Sequence, residues 1–347
     1  MCRGEKLIMI KAAYIEITNR CNLNCLYCYN ASGLSIKTEE LSAEIIEDII
    51  LAINRQTGLR DFEISGGEPL MHSDWSKVLD VMEKLKDFSF FIVTNGIIRD
   101  DRLYNLLETE DRFKVQFSID GADEWSHSKT RGKNNFIKVL NNLASFKHKN
   151  IPVIKMVVSK YNMNQIEEYF KLALEYDSKP AFAFAEKMGL AVDNWNDLYL
   201  NEYEKLDVIE QIEKMQNKYN IKTKPPYATY KCPLLDESEA IGVSIKSNGS
   251  IQPCQIFYDP QFSLGSVYNL DFNTIKISID QLRKELINWQ KKDFGCEKCI
   301  NREYCHKGCP AEVFMHFNSF DSADGSCSFR KLQTAKINIL SLLKNRK

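Results

Sequence analysis

The stretch RCNLNCLYCYNASG, Arg20–Gly33, carries three cysteines spaced as Cys21-x3-Cys25-x2-Cys28. An aromatic residue, Tyr27, stands directly before the last cysteine. Three close thiols could hold a zinc ion, hold an iron–sulfur cluster or take part in a disulfide. Zinc usually takes four ligands in two closely spaced pairs, whereas only three thiols are local here. Three thiolates on a cubic cluster leave one iron without a protein ligand, so that this iron is free to bind a small molecule.

The composition is that of a globular chain without charge bias. The 347 residues include 46 Lys and Arg against 47 Asp and Glu, and 44% of them are hydrophobic. This length suffices for two or three domains, and the balanced charge gives no argument for nucleic acid or an anionic membrane as a partner. The N-terminal stretch has charges on both sides of a very short apolar run, unlike a signal peptide or a membrane span. We therefore expect a cytoplasmic protein.

The 11 cysteines cluster along the chain. After Cys2 come the three cysteines described above, then a gap of about two hundred residues, then seven more between Cys232 and Cys327. In a reducing cytosol disulfides are rare, so cysteines are expected to be metal ligands or small buried residues. Cysteines that only fill the hydrophobic core would be scattered along the sequence. The clustering therefore predicts two metal-binding regions joined by a cysteine-free region.

Short β-rich runs alternate with amphipathic helical patterns in the first part of the chain. The runs that predict strands begin at Ala12, Asp61, Phe88, Phe113, Ile151 and Ala181. Helical stretches, with apolar residues at spacings of three and four, follow Ser42 and Asn135 among others. Six strand–helix units predict a parallel α/β domain. Because a closed TIM barrel has eight units, we predict a partial (β/α)6 TIM-like barrel.

Every unusual loop follows a predicted strand at its carboxyl end. The cysteine triplet follows the first strand, GGEP (66–69) the second and TNG (94–96) the third, while SIDG (118–121) ends the fourth. Parallel barrels and doubly wound sheets both build their active sites at this edge. We therefore expect these loops to meet in one site.

The cysteine motif, with Tyr27 before its last member, resembles the signature of radical S-adenosylmethionine (SAM) enzymes, and further family motifs follow in order. In ISGGEP (64–69) Glu68 would accept hydrogen bonds from the methionyl amino group of SAM. In QFSIDG (116–121) Ser118 would reach the ribose, and in HSKTRG (127–132) Arg131 would meet the carboxylate. Tyr27 would lie near the adenine. The SAM contacts that the resemblance implies are Tyr27, Gly66, Gly67, Glu68, Ser118 and Arg131.

The resemblance implies an oxidoreductase that works under anaerobic conditions. A 4Fe–4S cluster on the cysteine triplet would pass one electron to SAM, and the resulting 5′-deoxyadenosyl radical would abstract a hydrogen atom from an unactivated C–H bond. A flavodoxin- or ferredoxin-type protein would donate the electron. Taken singly, Gly66 and Gly67 would be interpreted as an ordinary turn and Arg131 as a solvated helix residue. Their order and their places at strand ends favour the family.

The seven later cysteines resemble, in their order, the SPASM domain, which carries two auxiliary 4Fe–4S clusters. With the SAM-binding cluster, the chain would hold three. By spacing alone, the four cysteines from 296 to 309 suit zinc and iron–sulfur equally. The family pattern assigns to the distal cluster Cys296, Cys299, Cys305 and Cys327. It assigns to the cluster nearer the barrel Cys232, Cys254 and Cys309. No cysteine stands just upstream of Cys232, so the fourth iron of the nearer cluster would be open to a substrate thiolate or bound by Asp236.

The family resemblance implies a polypeptide substrate. The favoured function is a maturase that installs a thioether or carbon–carbon cross-link in a ribosomally made peptide. In sulfatase-maturating relatives an aspartate that accepts a proton follows the cysteine equivalent to Cys254, but Gln255 stands here, and an amide cannot accept a proton in the same way. The alternatives are a dehydrogenase acting on a small molecule or on a protein Cys or Ser, and a zinc-stabilised interaction protein without activity.

The chain also suggests a domain organisation. A helix is expected from Asn201 to Asn220, and KTKPPY (222–227) predicts a boundary before a turn-rich, cysteine-rich region with a hairpin turn at KSNGS (246–250). We predict a radical SAM partial barrel over 1–200, a helical linker over 201–228, a SPASM domain over 229–330 and a C-terminal helix over 331–347. Because the first strand begins almost at once, any leader peptide is expected to be bound by a separate protein or by an exposed surface of this chain.

Overall fold

The computed structural model describes residues 10–34, 37–145, 147, 149–223, 226, 232–236, 240–299, 305, 307–323, 327–328 and 330–332. In this part of the chain the strands are β1 (Ile10–Thr18), β2 (Asp61–Gly66), β3 (Ser89–Thr94), β4 (Phe113–Ser118), β5 (Val153–Val158), β6 (Lys179–Phe184), β7 (Ile241–Ile245), β8 (Ser250–Gln252) and β9 (Gly265–Ser266). The α-helices are α1 (Ala43–Thr57), α2 (Trp75–Lys84), α3 (Asp101–Thr109), α4 (Glu124–Arg131), α5 (Phe136–Ala144), α6 (Ile166–Glu175), α7 (Trp195–Leu198), α8 (Glu202–Tyr219), α9 (Phe272–Lys291) and α10 (Pro310–Phe317).

The described strands form one sheet in the order β6-β5-β4-β3-β2-β1-β7-β8-β9. From β1 to β6 every neighbouring pair is parallel, and consecutive strands are neighbours in the sheet. Parallel neighbours need a crossover, and helices α1 to α6 supply it. The structure thus confirms the predicted α/β fold of six strand–helix units, a partial (β/α)6 barrel.

The strands of the barrel have two different faces, because successive side chains point to opposite sides of a sheet. One face carries buried apolar residues such as Ile15 and Phe62, which belong to the main hydrophobic core. The other face, here called the inner face, carries Tyr14, Glu63 and Phe91, which stand side by side in β1, β2 and β3. Polar side chains on this inner face are therefore available to the barrel interior.

The second cysteine region extends the barrel sheet. Strand β7 pairs in parallel with β1, where Tyr14 is opposite Ser244, and β8 and β9 continue in antiparallel fashion. The predicted turn at 246–250 connects β7 and β8, which confirms the hairpin. The pairing of β1 with β7 joins residues that are more than two hundred positions apart, so no local sequence pattern predicts it.

The predicted helix between Asn201 and Asn220 is confirmed as α8, whose first turn is stabilised by a capping box on Asn201. Helix α9 was not predicted, because its region was interpreted as turn-rich. Its signal was present in the sequence: Asp271 caps the N-terminus, and buried apolar residues recur at spacings of three and four from Ile275 to Trp289.

The predicted C-terminal helix lies outside the described residues from 333 onwards. The domain boundaries stay a prediction. No helix among the described residues is both long and apolar enough to cross a membrane.

Candidate active site

The cysteine loop, residues 19–31, is fixed at the carboxyl end of the strands. It leaves the sheet where β1 ends. The N–H of Leu26 donates to the carbonyl of Thr130 in α4 at 2.9 Å. The N–H of Leu190, beyond β6, donates to the carbonyl of Cys28 at 3.0 Å. Elements that are far apart in sequence therefore hold the loop in place.

The three thiols of the cysteine loop are close enough to influence one another electrostatically. Burial raises the pKa of Cys21 to about 11 and that of Cys25 to about 12. Such thiols ionise when a metal replaces the proton. In the part of the chain that the structure describes, no three His, Cys, Asp or Glu side chains converge as a single metal ion requires. The triplet supplies three thiolates, one fewer than a zinc site usually has and as many as a cluster with one open iron needs.

Two glycines let the loop after β2 lie directly on the start of the cysteine loop. The N–H of Gly67 donates to the carbonyl of Thr18 at 2.8 Å. A Cβ on Gly66 would stand 2.3 Å from the same carbonyl oxygen. A Cβ on Gly67 would stand 2.2 Å from the carbonyl oxygen of Arg20. These predicted site residues therefore act by allowing close backbone contact between two loops of the site.

Glu68 is fully buried beside the cysteine triplet. Its carboxylate accepts hydrogen bonds from the hydroxyl of Thr94 at 2.8 Å and the N–H of Asn95 at 2.7 Å, and from the N–H of Leu70 at 3.3 Å. Burial raises its pKa to about 7, although these bonds oppose the rise. The charge of Glu68 in turn raises the pKa of Cys21. Glu68 is thus an acceptor fixed in position next to the cysteines, as the predicted role requires.

Asp120, which was not predicted as a site residue, is the centre of the hydrogen-bond network. Its side chain is fully buried. Its Oδ2 accepts hydrogen bonds from the hydroxyl of Tyr27, from Oγ1 of Thr130 at 2.8 Å and from Nε of Arg131 at 2.9 Å. Its Oδ1 accepts a hydrogen bond from the N–H of Val157 at 2.9 Å. Asp120 therefore ties the cysteine loop, α4 and β5 to the end of β4. Its only sequence signal was its place in the strand-end segment 118–121.

Arg131 connects this network to the thiols. Its Nη1 lies 3.9 Å from the sulfur of Cys25, and its guanidinium lies 5.4 Å from the centre of the Tyr27 ring. Ser118 is half-buried at the end of β4 and stands opposite Lys155 of β5. The structure thus brings Tyr27 and Arg131 together, and it places Ser118 at the carboxyl end of β4. Their contacts with the adenine, carboxylate and ribose of SAM stay predictions.

A second buried network joins the cysteine loop to β7. Glu16 in β1 accepts hydrogen bonds from the hydroxyl of Tyr29 at 3.0 Å and from the amide of Asn30 at 2.9 Å. The ammonium of Lys246, just after β7, lies 2.7 Å from the carboxylate of Glu16 and above the ring of Tyr29. Tyr29 directly follows the third cysteine of the triplet. The ion pair therefore links the first cysteine region to the second.

The structure also brings together the three cysteines predicted for the nearer cluster. The thiols of Cys232, Cys254 and Cys309 are close enough to influence one another electrostatically. Burial raises the pKa of all three, that of Cys232 to about 11. Burial raises the pKa of Tyr14 on the inner face, and the charges of Glu63 and then Cys254 add to this rise. Asp236 ends the short helical turn that follows Cys232, so it lies near this set in the chain.

The four cysteines predicted for the distal cluster line one cavity of about 460 Å³. They are Cys296, Cys299, Cys305 and Cys327. Lys307 also lines the cavity, and burial lowers its pKa although Cys296 and Cys305 oppose this. Four thiols around one cavity suit a fully ligated cluster or a zinc ion.

Residues 15–173 match the family model of the radical SAM superfamily. Over these residues the chain is similar to radical SAM proteins. A radical SAM protein uses SAM and a 4Fe–4S cluster, and the cysteine loop lies within the matched residues. The site built from the cysteine loop, Glu68 and the Asp120 network therefore lies in the region that matches this family model.

Several known proteins resemble this chain. The mycofactocin maturase MftC of Mycolicibacterium smegmatis is 30% identical over 187 residues, which are 53% of this chain and 47% of the relative. The sporulation killing factor maturation protein SkfB of Bacillus subtilis is 26% identical over 256 residues, 70% of this chain and 59% of that protein. An AdoMet-dependent heme synthase of Methanosarcina barkeri is 27% identical over 343 residues, 91% and 95% of the two chains. The chain thus spans about half the length of the MftC relative.

Solved structures show the same fold. SuiB of Streptococcus suis, bound to its precursor peptide SuiA, matches with a TM-score of 0.73 at 17% identity, over 92% of this chain and 76% of that chain. The enzyme anSMEcpe with bound AdoMet matches with a TM-score of 0.73 at 20% identity, over 96% and 99%. Both matches cover nearly the whole of this chain, so these proteins share its fold.

Proposed function

We propose that the chain is a peptide maturase. It abstracts a hydrogen atom from a ribosomally made peptide and installs a thioether or carbon–carbon cross-link. Two relatives are named as maturation proteins, and a structural neighbour was solved with its precursor peptide bound, which supports a peptide substrate. A flavodoxin- or ferredoxin-type electron donor and a separate leader-binding protein belong to the proposal.

The observation that carries the proposal is the position of Cys254 beside the inner face of the barrel. Because β7 pairs with β1, the hairpin that leads to Cys254 is part of the barrel sheet. The next residue, Gln255, reaches the inner face, where its amide Nε2 lies 3.4 Å from Glu63. The first cysteine region and the nearer set of C-terminal cysteines therefore border the same interior. A substrate held there would meet both.

The residues of the first site suit the cofactors of the family. Cys21, Cys25 and Cys28 would hold a 4Fe–4S cluster with one open iron, and Arg131 would offset the negative charge of the thiolates. When bound, the cluster and SAM supply a radical that abstracts a hydrogen atom. Glu68 and the Asp120 network keep the loop rigid, and the buried setting keeps water away from the reacting centre. The remaining SAM contacts are proposed for Tyr27, Ser118 and Arg131.

Two auxiliary 4Fe–4S clusters complete the proposal. The nearer one takes Cys232, Cys254 and Cys309, which leaves one iron open to a substrate thiolate or bound by Asp236. The distal one takes the four cysteines of the 460 Å³ cavity. The mutual influence of the first three thiols and the shared cavity of the other four support this division.

Iron analysis tests the cofactor assignment. Three proteins are reconstituted anaerobically. They are the wild type, a variant with Cys21, Cys25 and Cys28 changed to Ala, and a matched variant with Cys296 and Cys299 changed to Ala. We expect about twelve irons per wild-type chain and about eight in each variant. About four irons in the wild type, lost in the first variant and kept in the second, would contradict the auxiliary clusters but leave the radical SAM site intact.

Co-expression tests the substrate class. The protein is co-expressed anaerobically with each short peptide encoded beside its gene, and the peptides are analysed by mass spectrometry. A cross-link lowers the mass by one pair of hydrogens. A small-molecule substrate is the second candidate, because the heme synthase relative matches over nearly its whole length. Peptides that stay unmodified next to a wild-type enzyme that still cleaves SAM would favour that candidate.

A further inference from the structure

A carboxylate without an assigned role faces the barrel interior. Glu63 lies in β2 between Tyr14 of β1 and Phe91 of β3, all three on the inner face. These residues and Lys114 of β4 line a cavity of about 290 Å³. The cavity reaches the amino ends of the strands at Lys11, Asp61 and Ser89, so Glu63 lies between it and the loops at the carboxyl ends. A group bound in this cavity would therefore be in reach of the Glu63 side chain.

Within the described part of the chain, no basic side chain forms an ion pair with Glu63. Among the described residues, no Lys, Arg or His nitrogen lies within 4.0 Å of its carboxylate. The titratable groups that interact electrostatically with it are Lys155 from β5, Tyr14 from β1 and Tyr29 from the cysteine loop. The charged residues that line the same cavity are Lys11, Asp61 and Lys114. Burial raises its pKa to about 7, while the charge of Lys155 and the hydrogen bond from Gln255 oppose this rise. Glu63 is therefore able to change protonation state near neutral pH.

The neighbouring strand provides a contrast. Glu16 in β1 is also buried, but Lys246 lies 2.7 Å from its carboxylate, and Tyr29 and Asn30 donate hydrogen bonds to it. Those donors occupy the oxygens of Glu16. Two carboxylates in one interior thus have different environments, since Glu16 is paired with a lysine and Glu63 has no such partner among the described residues. Glu63 is the one that remains available.

Gln255 links Glu63 to the nearer set of cysteines. Its Nε2 lies 3.4 Å from Oε1 of Glu63. This is a long hydrogen bond from an uncharged donor, and it orients the carboxylate. Gln255 follows Cys254 directly. The Glu63 carboxylate thus lies on the side of the interior where the three-thiol set of the second region begins. An amide at position 255 cannot accept a proton, whereas the carboxylate it contacts can.

We propose that Glu63 is the proton acceptor for a cysteine thiol of the bound peptide. In this step the S–H bond of the peptide breaks, its electron pair stays on sulfur, and an O–H bond forms on Glu63. No electron is gained or lost by the protein. An ordinary thiol has a pKa of about 8.5, close enough to that of the buried carboxylate for the transfer to proceed near neutral pH. The proposal rests on the proposed peptide maturase function.

The test uses the anaerobically reconstituted enzyme and the precursor peptide that is modified in the co-expression experiment. The variants are Glu63→Gln, which keeps the shape but accepts no proton, and Glu63→Asp, which keeps a carboxylate. Glu175→Gln, on the exposed end of α6, is the matched control. Two products are measured between pH 6 and 9: 5′-deoxyadenosine, which reports hydrogen abstraction, and the cross-linked peptide.

In Glu63→Gln we expect cross-linking to fall about 100-fold, in line with the loss of a general base, while 5′-deoxyadenosine formation stays close to wild type. Glu63→Asp should recover part of the cross-linking. The control should match the wild type in both products. Wild-type cross-linking should fall below about pH 7, and that acid limb should be absent from the residual activity of Glu63→Gln.

A labelling experiment tests the state of Glu63 without a substrate. Dicyclohexylcarbodiimide reacts with protonated carboxyl groups in apolar sites, and peptide mapping locates the adduct. We expect an adduct on Glu63 that declines through about pH 7. Equal cross-linking by Glu63→Gln and wild type, or no adduct on Glu63 at pH 6, would overturn the proposal. A wild-type enzyme that modifies no peptide would instead overturn the proposed function, and the proton acceptor role with it.

Discussion

Replacing Asp120 by asparagine should strongly destabilise the protein. In the wild type, Asp120 is the counter-ion of Arg131, and both side chains are buried. Asparagine has nearly the same shape and still accepts the hydrogen bond from the N–H of Val157. The substitution therefore removes the negative charge and leaves the guanidinium in a buried position without its partner.

The expected cost follows from this burial. Removing one member of a buried ion pair typically costs about 3–5 kcal/mol, because the remaining charge has lost both water and partner. Since asparagine keeps part of the hydrogen bonding of Asp120, we expect the lower end, about 3 kcal/mol, which is about two orders of magnitude in the folding equilibrium. Arg131 also lies 3.9 Å from the sulfur of Cys25, so its displacement should reduce bound iron after reconstitution.

Urea unfolding under anaerobic, reducing conditions measures this cost. The matched control is Asp80→Asn, which removes an exposed partner of Arg102 at 2.6 Å and should cost less than about 1 kcal/mol. The double variant Asp120→Asn with Arg131→Met should regain part of the lost stability, because no buried charge remains. A loss of less than about 1 kcal/mol in Asp120→Asn, or strictly additive losses in the double variant, would refute the reasoning.

Three other substitutions test separate features of the fold. Gly67→Ala places a methyl group 2.2 Å from a backbone carbonyl oxygen and should lower the iron bound after reconstitution, whereas Gly242→Ala, with 3.4 Å to the nearest atom, should not; equal iron content would count against the close contact. Asn201→Ala removes the capping box of α8 and should cost about 1 kcal/mol in thermal unfolding; an unchanged midpoint would contradict it. Burial raises the pKa of Glu63 from 4.5 to about 7, so the stability present below the lower value is lost as pH rises through the higher one. Glu63→Gln should therefore be more stable than wild type at pH 8 and lose this advantage towards pH 5, and a difference independent of pH would show that the pKa is not raised.

The parallel barrel was predictable because its signals are local. Apolar residues recur every two positions in a strand and every three to four positions in a helix, so both can be predicted from nearby residues. Parallel strands joined by right-handed crossovers then allow few other arrangements. Helix α9 shows the limit of that procedure. The sequence contains its N-cap at Asp271 and the apolar residues spaced as in a helix. The surrounding cysteines nevertheless favoured the interpretation of this region as turns.

The candidate site was predictable only where a motif carried the chemistry. The cysteine triplet and Glu68 stood in recognisable segments, and the structure places them side by side. Asp120 and Glu63 were not recognised, because a single acidic residue in a strand has no local feature that separates it from a surface residue. Their importance comes from burial and from partners such as Tyr27 and Gln255, which lie 93 and 192 positions away.

The sequence by itself determined the order of the barrel units, the cysteine spacings and the family resemblance, because each depends on residues close together in the chain. Only the tertiary structure decided which distant groups share an environment. The pairing of β1 with β7 brings Cys254 to the inner face, and the Glu16–Lys246 pair joins the two cysteine regions. Burial and electrostatic interaction depend on distance in space, so the protonation states that matter for the chemistry could not be assigned from neighbours in the sequence.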